Sequence, residues 1–225
     1  MSAPFRYAPF IRAEFPTLVT GVLQVDGIAH DASVAALTAP LLQTARARLG
    51  AGAESTLPEI QAWRQAFAKM NLKPTQYRCA AEALLRRFRM EGSLPGIHPL
   101  VDLCNAVSLA FAVPIAAFDL DQVDGALEVG PATGRERYAT FSGEIEHPEP
   151  GEVIFADAAG NAHARRWTNR QSGRSAVRDQ TRRVLIVCEA LHPTAHDDIA
   201  RLLATLEPAL LQAWPRCTVA NVPLA

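Results

Sequence analysis

The chain has 225 residues, 49% hydrophobic and 20% charged, with a formal net charge of -1 and a pI near 6.6. That is enough chain to bury a stable core without disulfides or metals, as one large domain or two small packed ones. The near-neutral balance excludes a whole-molecule nucleic-acid binder, so any electrostatic partner must be met by a local patch.

Residues 17–29, TLVTGVLQVDGIA, are β-branched and partly alternating, and end on a DG turn signal. They read as a strand leading into a turn. Residues 32–49 read as a helix, with Ser33 available as N-cap and Gly50 as the stop. Leu57–Met70 is a stronger helix: Pro58 suits a first turn, and Ile60, Trp63, Phe67 and Met70 form an apolar stripe. Tyr77–Met90 is a third, with Ala81, Leu84, Leu85 and Phe88 inward and Arg86, Arg87 and Arg89 wet. After the break SLPGIHP, Leu100–Ala112 reads as a buried helix that carries Asn105 and Ser108 inside it.

From Pro114 the pattern changes to short strands between Gly, Asp and Pro. The candidates are IAAFDLDQVDG, ALEVGPA, RYATFSG, GEVIFADAAG, AHARRW and RRVLIVCEA. VLIVCEA is a continuous apolar run, which suits a strand buried on both faces. Asp197–Ala213 reads as an amphipathic helix. This order argues α+β: a helical N-terminal part packed on a mixed or antiparallel, β-sandwich-like core. We read residues 1–225 as one domain, with 1–60 as an N-terminal subregion, 61–190 as the core, and 191–225 as a C-terminal helix and tail.

Several common chemistries are missing. There is no GxxxxGK[ST], no GxGxxG after a strand, no HExxH and no GxSxG. Cys79, Cys104, Cys188 and Cys217 are widely spaced and form no CxxC. His98, His147, His163, His192 and His196 stand at no metal-ligand spacing with them, so neither a metal nor a cofactor is expected. Cys104 reads as a small buried hydrophobe rather than a nucleophile. His192 and His196 fall four apart with Pro193 between them, which favours a loop. Residues 1–15 hold Arg6, Arg12 and Glu14 and lack a leader's apolar core. No apolar run reaches the roughly 18 residues of a membrane helix. Free thiols and a reducing cytoplasm are the expectation.

One stretch does carry a recognisable pattern: LPGIHPLVDLCNAVSLAFAVPIAAFDLDQVDG. Its Val101-Asp102-Leu103-Cys104-Asn105 and Pro114-Ile115-Ala116-Ala117-Phe118-Asp119, with Thr181-Arg182-Arg183-Val184-Leu185 downstream, resemble the B3/B4 domain of the bacterial phenylalanyl-tRNA synthetase beta chain. The resemblance is firmest over about residues 98–190. The upstream WRQAFAKMNLKPTQYRCAAEALLRR is similar to what freestanding B3/B4 proteins carry. In the synthetase this domain hydrolyses tyrosine wrongly attached to phenylalanine tRNA, so the resemblance implies a trans-acting aminoacyl-tRNA deacylase. Its partner would be the aminoacylated 3′ end of a tRNA, in the cytoplasm, with no membrane and no cofactor. Hydrolysis of an activated ester needs a positioned water, a polar group for the carbonyl oxygen and a side-chain pocket.

Under that resemblance, Asp102, Asn105, Ser108, Asp119 and Gln171 are the candidate pocket residues. His98, Asn105, Thr181 and Glu189 are the catalytic candidates. Each also has a plain structural reading: Asn105 as a bridge to buried backbone, Asp119 as a turn residue, His98 as a solvated loop histidine, Thr181 as a strand former. Two departures from the family pattern stand out. Ala116 takes the place of the family histidine. The family glutamate falls at Val187, with Glu189 two residues on and on the same strand face.

Residues 165–183, RRWTNRQSGRSAVRDQTRR, hold seven arginines and one acid, Asp179. Arg166, Arg170, Arg174, Arg178 and Arg182 are spaced by four, yet Gly173 and its polar neighbours argue for a loop. A basic loop at the pocket mouth, Arg165, Arg166, Arg170, Arg174 and Arg178, would meet tRNA phosphates, and Trp167 would offer a stacking surface. The alternative is a solvated loop paired with the acids of residues 144–157. Three functional readings follow: a freestanding editing hydrolase, a non-catalytic tRNA or amino-acid binding module, and a hydrolase of another small amide or ester.

Overall fold

The structure, a computed structural model, describes residues 4–224; the extreme ends of the predicted 1–225 domain lie outside the described residues. The apolar run RVLIVCEA becomes β10 (Arg183–Ala190), around which the fold is organised. β10 lies between β2 (Val19–Asp26) and β3 (Ile115–Asp119), antiparallel to both, and β11 (Thr218–Asn221) extends the sheet beyond β2. A central strand covered on both faces cannot alternate apolar with polar, which explains the uninterrupted run.

The second sheet has the order β1-β4-β7-β8-β5-β6. Its strands are β1 (Phe5–Tyr7), β4 (Leu127–Pro131), β5 (Arg137–Ala139), β6 (Ile145–Glu146), β7 (Val153–Ala156) and β8 (Asn161–Arg165). A short β9 (Arg170–Gln171) pairs with β8. β1 joins β4 and β5 joins β8 in parallel, and the other pairs are antiparallel, so the sheet is mixed. The helices are α1 (Pro9–Glu14), α2 (Ala35–Gly50), α3 (Pro58–Lys69), α4 (Ala80–Glu91), α5 (Pro99–Phe111) and α6 (Ala195–Ala213). The architecture is α+β, as the sequence pattern predicts.

Two cores divide at β10. Leu185 and Val187 join Phe118 and Phe155 from the two sheets and Trp167 from the turn after β8, with Trp63 and Phe67 of α3 and Leu85 and Phe88 of α4. Val184, Ile186 and Cys188 face the other way, onto Leu103 and Val107 of α5 and Leu202 and Leu206 of α6. The period of two along the strand thus assigns each residue to one core.

Local chemistry sets the helix boundaries. α5 starts where His98 Nδ1 accepts the Leu100 N–H at 3.1 Å, with Pro99 in the first position. α4 starts three residues later than predicted, because the Cys79 sulfur accepts the Glu82 N–H at 3.4 Å; Gly92, at φ 75°, closes it. Ser33 is not the cap of α2: Val34 holds that place without a side-chain bond, and Gly50 is the last helical residue rather than the stop. The sequence pattern leaves β1, α1 and β11 unassigned.

Candidate functional site

A pocket of about 60 Å³ opens between the two sheets next to α4. β3 contributes Ile115, Ala116 and Phe118, β7 contributes Phe155, β8 contributes Ala164, and β10 contributes Val187 and Glu189. The segment from Trp167 to Gln171 closes one side, together with Ala80, the first residue of α4, whose N–H donates to the Thr168 carbonyl at 2.7 Å. Val187 and Glu189 are two apart on one strand, so they present to the same cavity.

Glu189 is 2% exposed in an apolar wall. Its Oε1 accepts the Tyr7 hydroxyl at 2.6 Å and the Trp167 indole N–H at 2.8 Å. Burial pushes its carboxyl up to about 7, against the pull of those two donors and of Arg12. Near neutral pH the group is therefore divided between an acceptor and a donor form. The supports are themselves fixed. Tyr7 OH also bonds Thr20 Oγ1 at 2.8 Å, and the Arg12 guanidinium lies 4.4 Å over the Tyr7 ring. Trp167 packs edge-on against Phe15 at 4.9 Å and Trp63 at 5.0 Å. Burial raises the Tyr7 hydroxyl, and the nearby Glu189 raises it further, so Tyr7 stays a donor.

Trp167 reaches this position through an unusual turn. Arg166 and Trp167 both take left-handed backbone, with φ of 47° and 56°. Such angles are rare outside glycine, and here they reverse the chain after β8 so that the indole enters the core. Trp167 is fully buried and offers no stacking surface to an external base, which corrects the sequence expectation. Arg165 is likewise only 5% exposed. Its guanidinium bonds Glu152 at 2.8–2.9 Å and Glu146 at 2.7 Å. The expected basic loop is instead an ordered stretch: β9 lies within it, and Ser172, Ser175 and Thr181 are buried. Arg170 pairs with Glu146 at 2.8 Å and lies over the Tyr138 ring, while Arg174 reaches Asp124 at 3.5 Å. Arg178 donates to the Gly173 carbonyl at 3.0 Å. Acids of residues 144–157 therefore neutralise part of the run. Arg170 still lines the pocket rim, with a side chain 43% exposed.

The B3/4 domain family matches residues 62–207. The chain belongs to the B3/4 domain family. It is 29% identical over 125 residues to a phenylalanine–tRNA ligase beta subunit of Shewanella oneidensis, covering 55% of this chain and 15% of that protein. It is 24% identical over 177 residues to the corresponding subunit of Photorhabdus laumondii subsp. laumondii, covering 77% of this chain and 22% of that one. The chain thus spans under a quarter of the length of these relatives. Among solved structures, an N-terminal fragment of the phenylalanyl-tRNA synthetase beta subunit from Pyrococcus horikoshii matches all of this chain and 52% of its own. Its TM-score is 0.53 and its identity 11%, a likeness of fold alone.

The B3/4 domain divides the sequence-predicted residues unevenly. Glu189 and Gln171 line the pocket, and Gln171 Nε2 donates to the Ala117 carbonyl at 2.8 Å. The candidates on and before α5 do not, because that helix packs on the far face of β10. His98 is buried as the α5 cap, and burial lowers its ring below the usual histidine range. That burial corrects the plain reading of a solvated loop histidine, and His98 does not line the pocket. Asp102 and Asn105 border a separate depression beside α2, where Asp102 Oδ1 accepts the Ile97 N–H at 3.0 Å. Ser108 Oγ donates to the Val113 carbonyl at 2.7 Å. Asp119 and Thr181 form a latch at the start of β10: Thr181 Oγ1 donates to Asp119 Oδ2 at 2.6 Å, and Asp119 Oδ1 accepts the Asp121 N–H.

Two buried polar clusters escape the sequence reading. His163 bridges Ser175 Oγ at 2.8 Å and Asp157 Oδ2 at 3.1 Å. Ser175 and His163 are fully buried, and burial lowers the His163 ring. Asp157 also accepts from Asn161, and these bonds lower its carboxyl to about 2 despite burial. With no solvent route to the serine, this chain of bonds knits β8 to the segment before β10. Glu59, His192 and Asp198 form the second cluster, grouped closely enough to hold a metal ion. Each carboxylate there already has a cation, Arg48 at 2.6 Å from Glu59 and Arg201 on Asp198. Neither cluster contributes a residue to the pocket lining, although His163 packs edge-on against Phe118 of its wall at 6.4 Å. The four cysteines are free and buried, and burial pushes the Cys104 thiol up to about 12. No helix among the described residues is long and apolar enough to cross a membrane.

Proposed function

We propose that the chain is a freestanding B3/4 protein that acts on aminoacylated tRNA in the cytoplasm and hydrolyses the ester of a wrongly attached amino acid. One observation carries this reading. A solvent-open, mainly apolar pocket ends on a buried carboxyl group, and its walls come from the segments that carry the family pattern, Pro114–Phe118 and the strand after Thr181. A pocket with apolar walls and one fixed polar group is what recognition of a small organic side chain needs. Gln171 and Arg170 at the rim, with Arg166 and Arg174 nearby in sequence, would meet the 3′ end and its phosphates, and such contacts are strongly salt-dependent. The names of the relatives, which are phenylalanine–tRNA ligase subunits, agree with a tRNA partner.

A second reading, a non-catalytic module that holds tRNA or an amino acid, has a specific observation behind it. Ala116 lines the pocket where the family pattern has histidine, and the pocket lining contains no histidine. Deacylation distinguishes the two. The purified protein is mixed with tRNAs charged with correct or wrong amino acids, and ester loss is followed against a protein-free control. Selective hydrolysis supports the enzyme. Salt-sensitive tRNA binding without hydrolysis supports the module. Absence of both overturns the tRNA reading.

A further inference from the structure

We infer that the pocket selects a small, hydroxyl-bearing side chain and turns away an aromatic ring, because one oxygen of Glu189 is left for a hydroxyl and the space beside it is smaller than a ring. This rests on the aminoacyl-tRNA reading above. Glu189 Oε1 takes two internal donors, the Tyr7 phenol at 2.6 Å and the Trp167 indole at 2.8 Å. A ligand hydroxyl is therefore left the other oxygen, Oε2, because both donor rings are buried in the core. Space decides which hydroxyl-bearing side chain can reach it. The pocket measures about 60 Å³, whereas a cavity of about 150 Å³ accommodates benzene. In proportion, about two or three heavy atoms fit.

One polar atom of the buried carboxyl remains for such a side chain. Glu189 Oε2 makes no hydrogen bond among the described residues. A serine- or threonine-sized hydroxyl can donate to it. Ile115, Phe118 and Phe155 then cover its carbons. A buried polar group left unpaired is costly, so a side chain without a hydroxyl binds less well.

The test uses stable amide analogues of the charged tRNA end: 3′-aminoacylamido-adenosines bearing seryl, threonyl, alanyl, phenylalanyl and tyrosyl groups, titrated by calorimetry. The seryl or threonyl analogue is expected to bind about tenfold or more tighter than the tyrosyl one. Equal or tighter binding of the tyrosyl analogue overturns the size selection and leaves the aminoacyl-tRNA reading standing. Binding of none removes that reading, and the inference with it. Trp167→Phe, which removes the indole donor and opens space, is expected to narrow the seryl preference by about tenfold. If that variant does not fold, Ala116→Leu serves: it fills the pocket from the β3 wall. Seryl binding is expected to drop about tenfold or more, and unchanged seryl binding overturns the assignment of the pocket.

Discussion

Glu189→Gln isolates the cost of placing an ionisable group on the pocket face of β10. The carboxyl rises from an ordinary value of 4.5 to about 7 on folding. Below 4.5 the group is protonated in both states. Between 4.5 and 7 the unfolded chain releases its proton while the folded chain keeps it, so stability falls as pH rises. Above 7 both states are ionised and the contribution is gone. At about 1.4 kcal/mol per tenfold change in proton affinity, the site removes about 2.5 kcal/mol between pH 5 and pH 8. Glutamine keeps the shape, and its amide oxygen can still accept from Tyr7 and Trp167, but it does not titrate. Urea denaturation at pH 5, 6, 7 and 8 would be followed by tryptophan fluorescence. With a slope of about 2–3 kcal/mol/M, the midpoint difference between variant and wild type is expected to grow by about 1 M urea across that range, in favour of glutamine at pH 8. Parallel wild-type and variant curves would refute the reasoning, because every other titrating group is common to both proteins.

Arg165→Ala strands Glu152 and Glu146 beside a buried void and is expected to cost about 3 kcal/mol in urea denaturation; a loss below about 1 kcal/mol would place the pair among ordinary surface bridges. Thr181→Val removes the donor to Asp119 Oδ2 and is expected to cost about 2 kcal/mol, a drop of roughly 4–8 °C in Tm for a chain of this size. An unchanged Tm would count against the latch. Arg166/Arg170/Arg174→Ala is expected to weaken tRNA binding and to reduce its logarithmic salt slope by about two to three, with little loss of Tm. Unchanged binding would rule these arginines out of the tRNA surface.

The sequence made some of this site legible. The apolar run of β10 marks a strand covered on both faces, and period two from Val187 places Glu189 on the pocket face. The pairing of arginines with the acids of 144–157 can also be read as an alternative from charge alone. Other parts depend on contacts that no local pattern encodes. Tyr7 and Glu189 stand 182 residues apart and meet only because β1 pairs with β4. Trp167 sits among arginines in a polar stretch, and two left-handed residues turn it inward. The α5 candidates go astray for a simpler reason: residue type and spacing give a helix face, but they do not say on which side of a sheet the helix packs.

The two-sided burial of β10 also bears on how this protein can change over time. Odd-numbered positions from Leu185 to Glu189 meet the sheet-to-sheet core, and the last two reach the pocket; even-numbered positions meet the layer under α5 and α6. Substitutions at 187 and 189 can therefore alter what the pocket accepts while leaving the contacts of Ile186 and Cys188 in place. A single strand thus carries two separable records, one of selection for specificity and one of selection for persistence. A mutational scan along it should show tolerance alternating with a period of two.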